Sequence, residues 1–162
     1  MLQIRKCTEG DKDSILTVYK ECEDFLALGP VPTASMRMVE EDIQASAESK
    51  GRYCIVLCDN KIIGVADFIP SYYENESSKA YISLIMITKN YRCNGIGRKT
   101  VSEVERIITE NPAVTKIYVS VQTNNERAIS FWTRHGYIRV SEAELQSDTT
   151  IVYHFCKDIC HN

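Results

Sequence analysis

The stretch from Tyr81 to Lys99 restricts the fold more than any other part of the chain. Tyr81-Ile82-Ser83-Leu84-Ile85-Met86-Ile87 is almost continuously apolar, the pattern of a strand buried on both faces. It leads into Asn90-Tyr91-Arg92-Cys93-Asn94-Gly95-Ile96-Gly97-Arg98-Lys99, after which Ile96, Val101, Val104 and Ile108 recur on one helical face until Asn111-Pro112 ends the helix. A buried strand that turns through two glycines into an amphipathic helix fits an α/β domain with helices on the faces of a central sheet. The turn also suits an anion. The first helical turn presents unpaired N–H groups and the positive end of the dipole, and glycine lets a phosphate or pyrophosphate approach the backbone. Arg92, Arg98 and Lys99 add positive charge beside those amides. The plainer reading is a tight turn that needs glycine and carries solvated basic neighbours.

Periodicity orders the remaining elements. A strand is expected around Gln3 to Cys7, then a helix through Ile15, Val18, Tyr19, Cys22, Phe25 and Leu26, with Asp11 or Asp13 available as its cap. Gly29-Pro30-Val31-Pro32 breaks it, and Met36, Val39, Ile43 and Ala47 indicate a second helix. Cys54–Cys58 and Ile62–Ala66 read as a hairpin around Asp59-Asn60-Lys61, followed by a polar loop from Ser71 to Lys79. Ile117, Val119 and Val121 alternate in a strand, Asn125 to His135 is helical before Gly136, and Tyr137–Val140 and Thr149–Cys156 are the last two strands. With no linker or repeat, the 162 residues form one expected domain: an amino-terminal strand-helix-helix region to residue 50, the glycine loop and its flanking elements over 51–110, and carboxy-terminal strands and a helix over 111–162.

Charge and spacing exclude several functions. The chain has 19 basic and 22 acidic residues, a net charge of −3, so a broad basic nucleic-acid footprint is absent and an anionic ligand must be held locally. No apolar run approaches the roughly 18 residues that span a membrane. The seven cysteines are an odd number without a secretory leader, and the expectation is a reduced, cytoplasmic chain. Cys54-x-x-x-Cys58 and Cys156-x-x-x-Cys160-His161, with His154 nearby, invite a zinc site, but strand geometry puts such a pair of sulfurs about 13 Å apart, and no metal is expected. Cys93, at a helix amino end beside arginines, is the one thiol whose setting favours reactivity. The glycine loop lacks the spacing of a Walker loop or a dinucleotide fingerprint.

Arg92-Cys93-Asn94-Gly95-Ile96-Gly97 instead resembles the Gln/Arg-x-x-Gly-x-Gly/Ala loop of the GCN5-related N-acetyltransferases. A second segment, Asn125-Glu126-Arg127-Ala128-Ile129-Ser130-Phe131-Trp132-Thr133-Arg134-His135-Gly136-Tyr137, is similar to that family's Asn-x-x-Ala-x-x-Phe-Tyr-x-x-x-Gly-Phe block. The resemblance runs from about Tyr53 to Phe155 and implies a mixed, mostly antiparallel sheet of six or seven strands flanked by about four helices. It further implies acetyl-CoA as cosubstrate and a small-molecule or peptide amine as acceptor, with a homodimer left open. Cys93, Asn94, Gly95, Ile96, Gly97, Arg98 and Lys99 would hold the pyrophosphate with Arg92. Ile85, Met86, Ile87, Asn125 and Ala128 would hold the pantetheine arm, with the Met86 side chain turned the other way.

Two positions depart from the family pattern. Trp132 stands where a tyrosine usually protonates the leaving thiolate, and an indole N–H can only donate a hydrogen bond or pack. The strand before the loop offers no carboxylate where many relatives carry a glutamate base. An amine with a pKa near 10.4 is neutral only about once in 2,500 molecules at pH 7, a deficit of roughly 4.6 kcal/mol that a base must help to overcome. Asp67 and Glu74 are the candidate bases, with Glu76, Glu23 and Asp24 behind them. The alternative to catalysis is a module that binds acyl-CoA without turning it over.

Overall fold

A computed structural model describes residues 1–161. Strands β1 (Leu2–Lys6), β2 (Arg52–Cys58), β3 (Lys61–Ile69), β4 (Lys79–Ile87), β5 (Lys116–Gln122), β6 (Ile138–Arg139), β7 (Glu144–Leu145) and β8 (Ile151–Asp158) form one sheet. Helices α1 (Lys12–Glu21), α2 (Glu23–Leu26), α3 (Met36–Glu48), α4 (Ile96–Thr109) and α5 (Glu126–Arg134) cover it. The strand order is β1-β2-β3-β4-β5-β8-β6, with β7 beside β8, and every pairing is antiparallel except β4 with β5. Among the described residues no helix is long and apolar enough to cross a membrane.

The long apolar run of β4 is explained by what lies on each side of it. Ile15, Val18, Tyr19 and Val39 from α1 and α3 pack with Val65 and Met86 on one face. Val101, Val104 and Ile108 of α4 pack with Phe68, Ile82 and Val119 on the other. Burying each such aliphatic side chain contributes about 1.5–3 kcal/mol, which is why both faces of the central strands are apolar while β5 alternates.

Three features differ from the periodicity reading. The helix expected through Leu26 breaks at Cys22, where the backbone (φ −110°, ψ 19°) leaves the helical region and restarts as the one-turn α2. Asp11 caps no residue of α1; its carboxylate accepts from the Thr8 amide at 2.7 Å and forms a two-oxygen pair with Arg5, which holds it well below the usual carboxylate range. The sheet has eight strands because β7, only two residues and exposed, gives no alternation to read.

Candidate active site

The site begins where two strands part. Parallel pairing of β4 with β5 runs from Lys79 opposite Lys116 to Ile82 opposite Val119 and stops there, so the rest of β4 has no neighbour on that side. The register of β4 against β3 slips at the same point: Ile82 faces Phe68 and Leu84 faces Asp67, leaving Ser83 as the extra residue of a bulge. Beyond it, the Thr88 N–H donates to Ile63 O at 2.9 Å. Antiparallel alternation then directs the main-chain groups of Met86 to β3 and those of Ile85 and Ile87 into the gap beside β5. Gly64 lets the strands approach here, since a Cβ would lie 2.4 Å from Met86 O.

Past β4 the gap runs into the glycine loop. Cys93 (φ 63°) and Gly95 (φ 76°) are both left-handed, a turn that points successive amides the same way before α4 starts. Among the described residues the amides from Cys93 to Arg98 have no main-chain acceptor. Gly97 packs so closely on α5 that a Cβ would sit 3.3 Å from the Phe131 ring. Arg98 and Lys99 are exposed on an open groove of about 700 Å³, lined also by Gly95, Ser102 and Arg106.

Three residues of the expected cofactor set have partners within the fold itself. Arg92 is engaged within the fold: its Nε donates to Ile87 O at 2.6 Å, and its two Nη atoms reach Asp24 of α2, which follows the helix break at Cys22, at 2.6 and 3.2 Å. Met86 has neither main chain nor side chain free, the first paired with β3 and the second buried. The Asn125 carbonyl oxygen caps α5 by accepting from the Ala128 amide at 3.0 Å, which leaves its NH₂ group as the available donor. Trp132 is 8% exposed and stands edge-on to Tyr137 and Phe131, with ring centroids 4.9 and 5.3 Å away.

Of the candidate bases, Asp67 lies nearest the bulge. Its carboxylate accepts from Ser46 Oγ at 2.6 Å and from the bulged Ser83 at 2.7 Å, and burial raises its pKa above the ordinary carboxylate value. Glu74 and Glu76 instead share Lys79 at 2.9 and 2.8 Å, Glu23 accepts from the Ala34 amide at 3.0 Å, and Asp24 is taken by Arg92. Cys54 is buried among β-strands, its thiol pushed up to about 11 by desolvation, so it behaves as a core residue.

One cluster had no local signal in the sequence. On the sheet face away from α4 and α5, Ser120 Oγ of β5 lies 2.9 Å from His154 Nδ1 of β8, and His154 Nε2 lies 3.0 Å from Glu144 of β7. Tyr81 of β4 lies beside Ser120 and is stacked at 4.5 Å on Tyr73, which is held by a turn with Tyr72, Glu74 and Asn75 all left-handed. The alternation of Ile117, Val119 and Val121 places Ser120 on this face; only the β5–β8 register, Ser120 opposite His154, brings the imidazole to it.

The fold is a mixed α/β sheet split between two parallel strands, with free amides in the gap and again at the start of α4. Residues 13–137 match the Acetyltransferase (GNAT) family, and the chain belongs to it. N-alpha-acetyltransferase 30 of Schizosaccharomyces pombe is 26% identical over 85 residues, 52% of this chain and only 56% of that protein. An acetyltransferase structure from Thermus thermophilus superposes with a TM-score of 0.81 at 20% identity, covering 98% of this chain and 97% of that one. The spermidine N-acetyltransferase of Vibrio cholerae, solved with CoA and spermine, gives 0.74 at 18% identity over 97% and 95%.

Proposed function

We propose that the chain transfers the acetyl group of acetyl-CoA to a primary amine by direct attack. The observation that carries this reading is two sets of free main-chain donors at the ends of one groove, Ile85 and Ile87 in the strand gap and Cys93 through Arg98 at the start of α4. The two sets suit a ligand with an amide-bearing arm and a pyrophosphate, and Arg98 and Lys99 suit its further negative charge. When bound, acetyl-CoA supplies a thioester carbonyl. The amide of Ile85, just beyond the bulge, is the donor we assign to its oxygen.

The acceptor side is acidic and hydroxylated. Asp67 is assigned to draw an ammonium group toward the bulge, at a point where Ser83 and Ser120 are the first residues beyond the last β4–β5 pair. The peptide amino terminus implied by the Schizosaccharomyces pombe relative and the polyamine of the Vibrio cholerae complex both carry such a group. The test is thiol release from acetyl-CoA in the presence of spermidine or a short peptide with a free amino terminus. Amine-dependent release is expected. Binding of acetyl-CoA with no release from either acceptor replaces the transferase with an acyl-CoA-binding module, the reading that the packed Trp132 favours.

A further inference from the structure

The hydrogen-bonding capacity of the Ser120 cluster is almost fully assigned by its chemistry. A carboxylate only accepts, so Glu144 takes the proton on His154 Nε2, leaving the Nδ1 lone pair toward Ser120. The Ser120 hydroxyl must then donate to Nδ1. Tyr81, whose ionisation burial disfavours, lies beside Ser120 with a hydroxyl to donate. A serine oxygen accepts two hydrogen bonds, so even with Tyr81 donating to it one position is left. That position belongs to the first β5 residue beyond the split, where an acceptor approaching the gap would pass.

We propose that Ser120 accepts the proton of the acceptor ammonium while passing its own proton to His154, with Glu144 holding the imidazolium and Tyr81 orienting the hydroxyl. The assignment rests on acetyl transfer being the reaction. The N–H bond of the ammonium breaks and a new O–H bond forms on Ser120 as its original proton moves to Nδ1. The freed nitrogen lone pair forms the N–C bond; the C–S bond breaks with its electron pair on sulfur, which is protonated by the second proton lost from nitrogen. His154 returns its proton to solvent. Ser120 is the catalytic residue, because it touches the amine; His154, Glu144 and Tyr81 act through it.

An imidazole ordinarily titrates near 6.5 and a carboxyl near 3.9, so histidine is the better matched proton acceptor at neutral pH. The groups facing His154 come from the neighbouring strands. Glu144 meets it from β7, and Ser120 and Tyr118 lie on β5. Tyr81 and Lys79 come from β4, and Lys79 is already neutralised by Glu74 and Glu76. Tyr73 completes the surround, with Glu144 near enough to disfavour its ionisation, while Arg139 of β6 lies over the Tyr153 ring.

The test compares the wild type with Ser120→Ala, His154→Gln and Glu144→Gln over pH 5.5 to 10, with spermidine and an amino-terminal peptide as acceptors. Ser120→Ala and His154→Gln should each lower kcat at pH 7 by about 10²-fold, with acetyl-CoA affinity and Tm retained. The His154→Gln deficit should shrink as pH rises, since free amine accumulates without a base. Glu144→Gln should move the acidic limb of kcat/KM to lower pH, because the imidazolium loses its counter-charge. A deficit independent of pH, or an unmoved limb, overturns the relay while leaving the transferase intact. A wild type inactive on both amines overturns both. Nitrogen NMR of His154 gives a readout free of turnover: a proton on Nδ1 at neutral pH also refutes the arrangement.

Discussion

Arg92 pairs with Asp24 through both carboxylate oxygens, at 2.6 and 3.2 Å, and so ties α2 to the start of the glycine loop across 68 residues of chain. The guanidinium also holds Ile87 O, where β4 ends. This arginine therefore serves the loop as a brace. Arg92→Ala and Asp24→Asn should each lower stability to urea, and the double variant should cost less than their sum by about 0.5–1 kcal/mol, the range for a partly exposed pair. Arg92 depresses the Asp24 pKa, so the coupling is present above the ordinary carboxylate range and is lost as pH falls through the folded value. Strict additivity at pH 7 would remove the brace.

If Arg92 is a brace while Arg98 and Lys99 supply field, salt should separate them. Acetyl-CoA affinity in Arg98→Ala plus Lys99→Ala should fall several-fold at low ionic strength and converge on the wild type near 1 M, where the screening length is about 3 Å. The loss in Arg92→Ala should persist at high salt. Gly97→Glu should abolish binding outright, because it sets a carboxylate among the free amides at the start of α4 and its Cβ would sit 3.3 Å from the Phe131 ring. Isothermal titration at two salt concentrations measures all three. An Arg92→Ala loss that disappears in salt would assign it to charge.

Burial raises the Asp67 pKa in the fold, so ionising this carboxylate costs stability. A raised folded pKa favours the protonated state, so stability is highest below the unfolded value near 3.9 and falls as pH rises through the folded one. Asp67→Asn keeps hydrogen bonding toward Ser46 and Ser83 without the charge. Its Tm should exceed the wild type at pH 7 and match it near pH 3.5. Its amine KM should rise by about fivefold, equivalent to one charge contact of roughly 1 kcal/mol. Equal Tm offsets at both pH values would show that hydrogen bonding, not desolvation, dominates this carboxylate.

What the sequence revealed follows the range of the interactions involved. The strand, loop and α4 were readable because period-two and period-three-to-four burial, left-handed glycine and helix-start amides all act within about ten residues of one another. Ile85 and Ile87 could be separated from Met86 for the same reason. Arg92 could not be separated from its neighbours, because its partner Asp24 is set by a helix break with no proline or glycine to announce it. Ser120 and His154 stand 34 positions apart, joined only by β5–β8 register.

Trp132 provides the sharpest separation of packing from chemistry. A residue that donates a proton to a leaving thiolate must reach it, whereas this indole is 8% exposed and lies edge-on to Tyr137, whose hydroxyl donates to Glu105 at 2.9 Å. The same Glu105 accepts from Lys157 at 2.9 and 3.0 Å, so Trp132 packs against a ring fixed by a partly buried ion pair. Trp132→Phe should leave a cavity and cost roughly 1–3 kcal/mol of stability. Its kcat with a reactive amine should stay within about threefold of the wild type, because no proton passes through the indole. Urea unfolding and thiol release decide the matter. A fall in kcat of about 10²-fold with stability preserved would place Trp132 at the reacting sulfur instead.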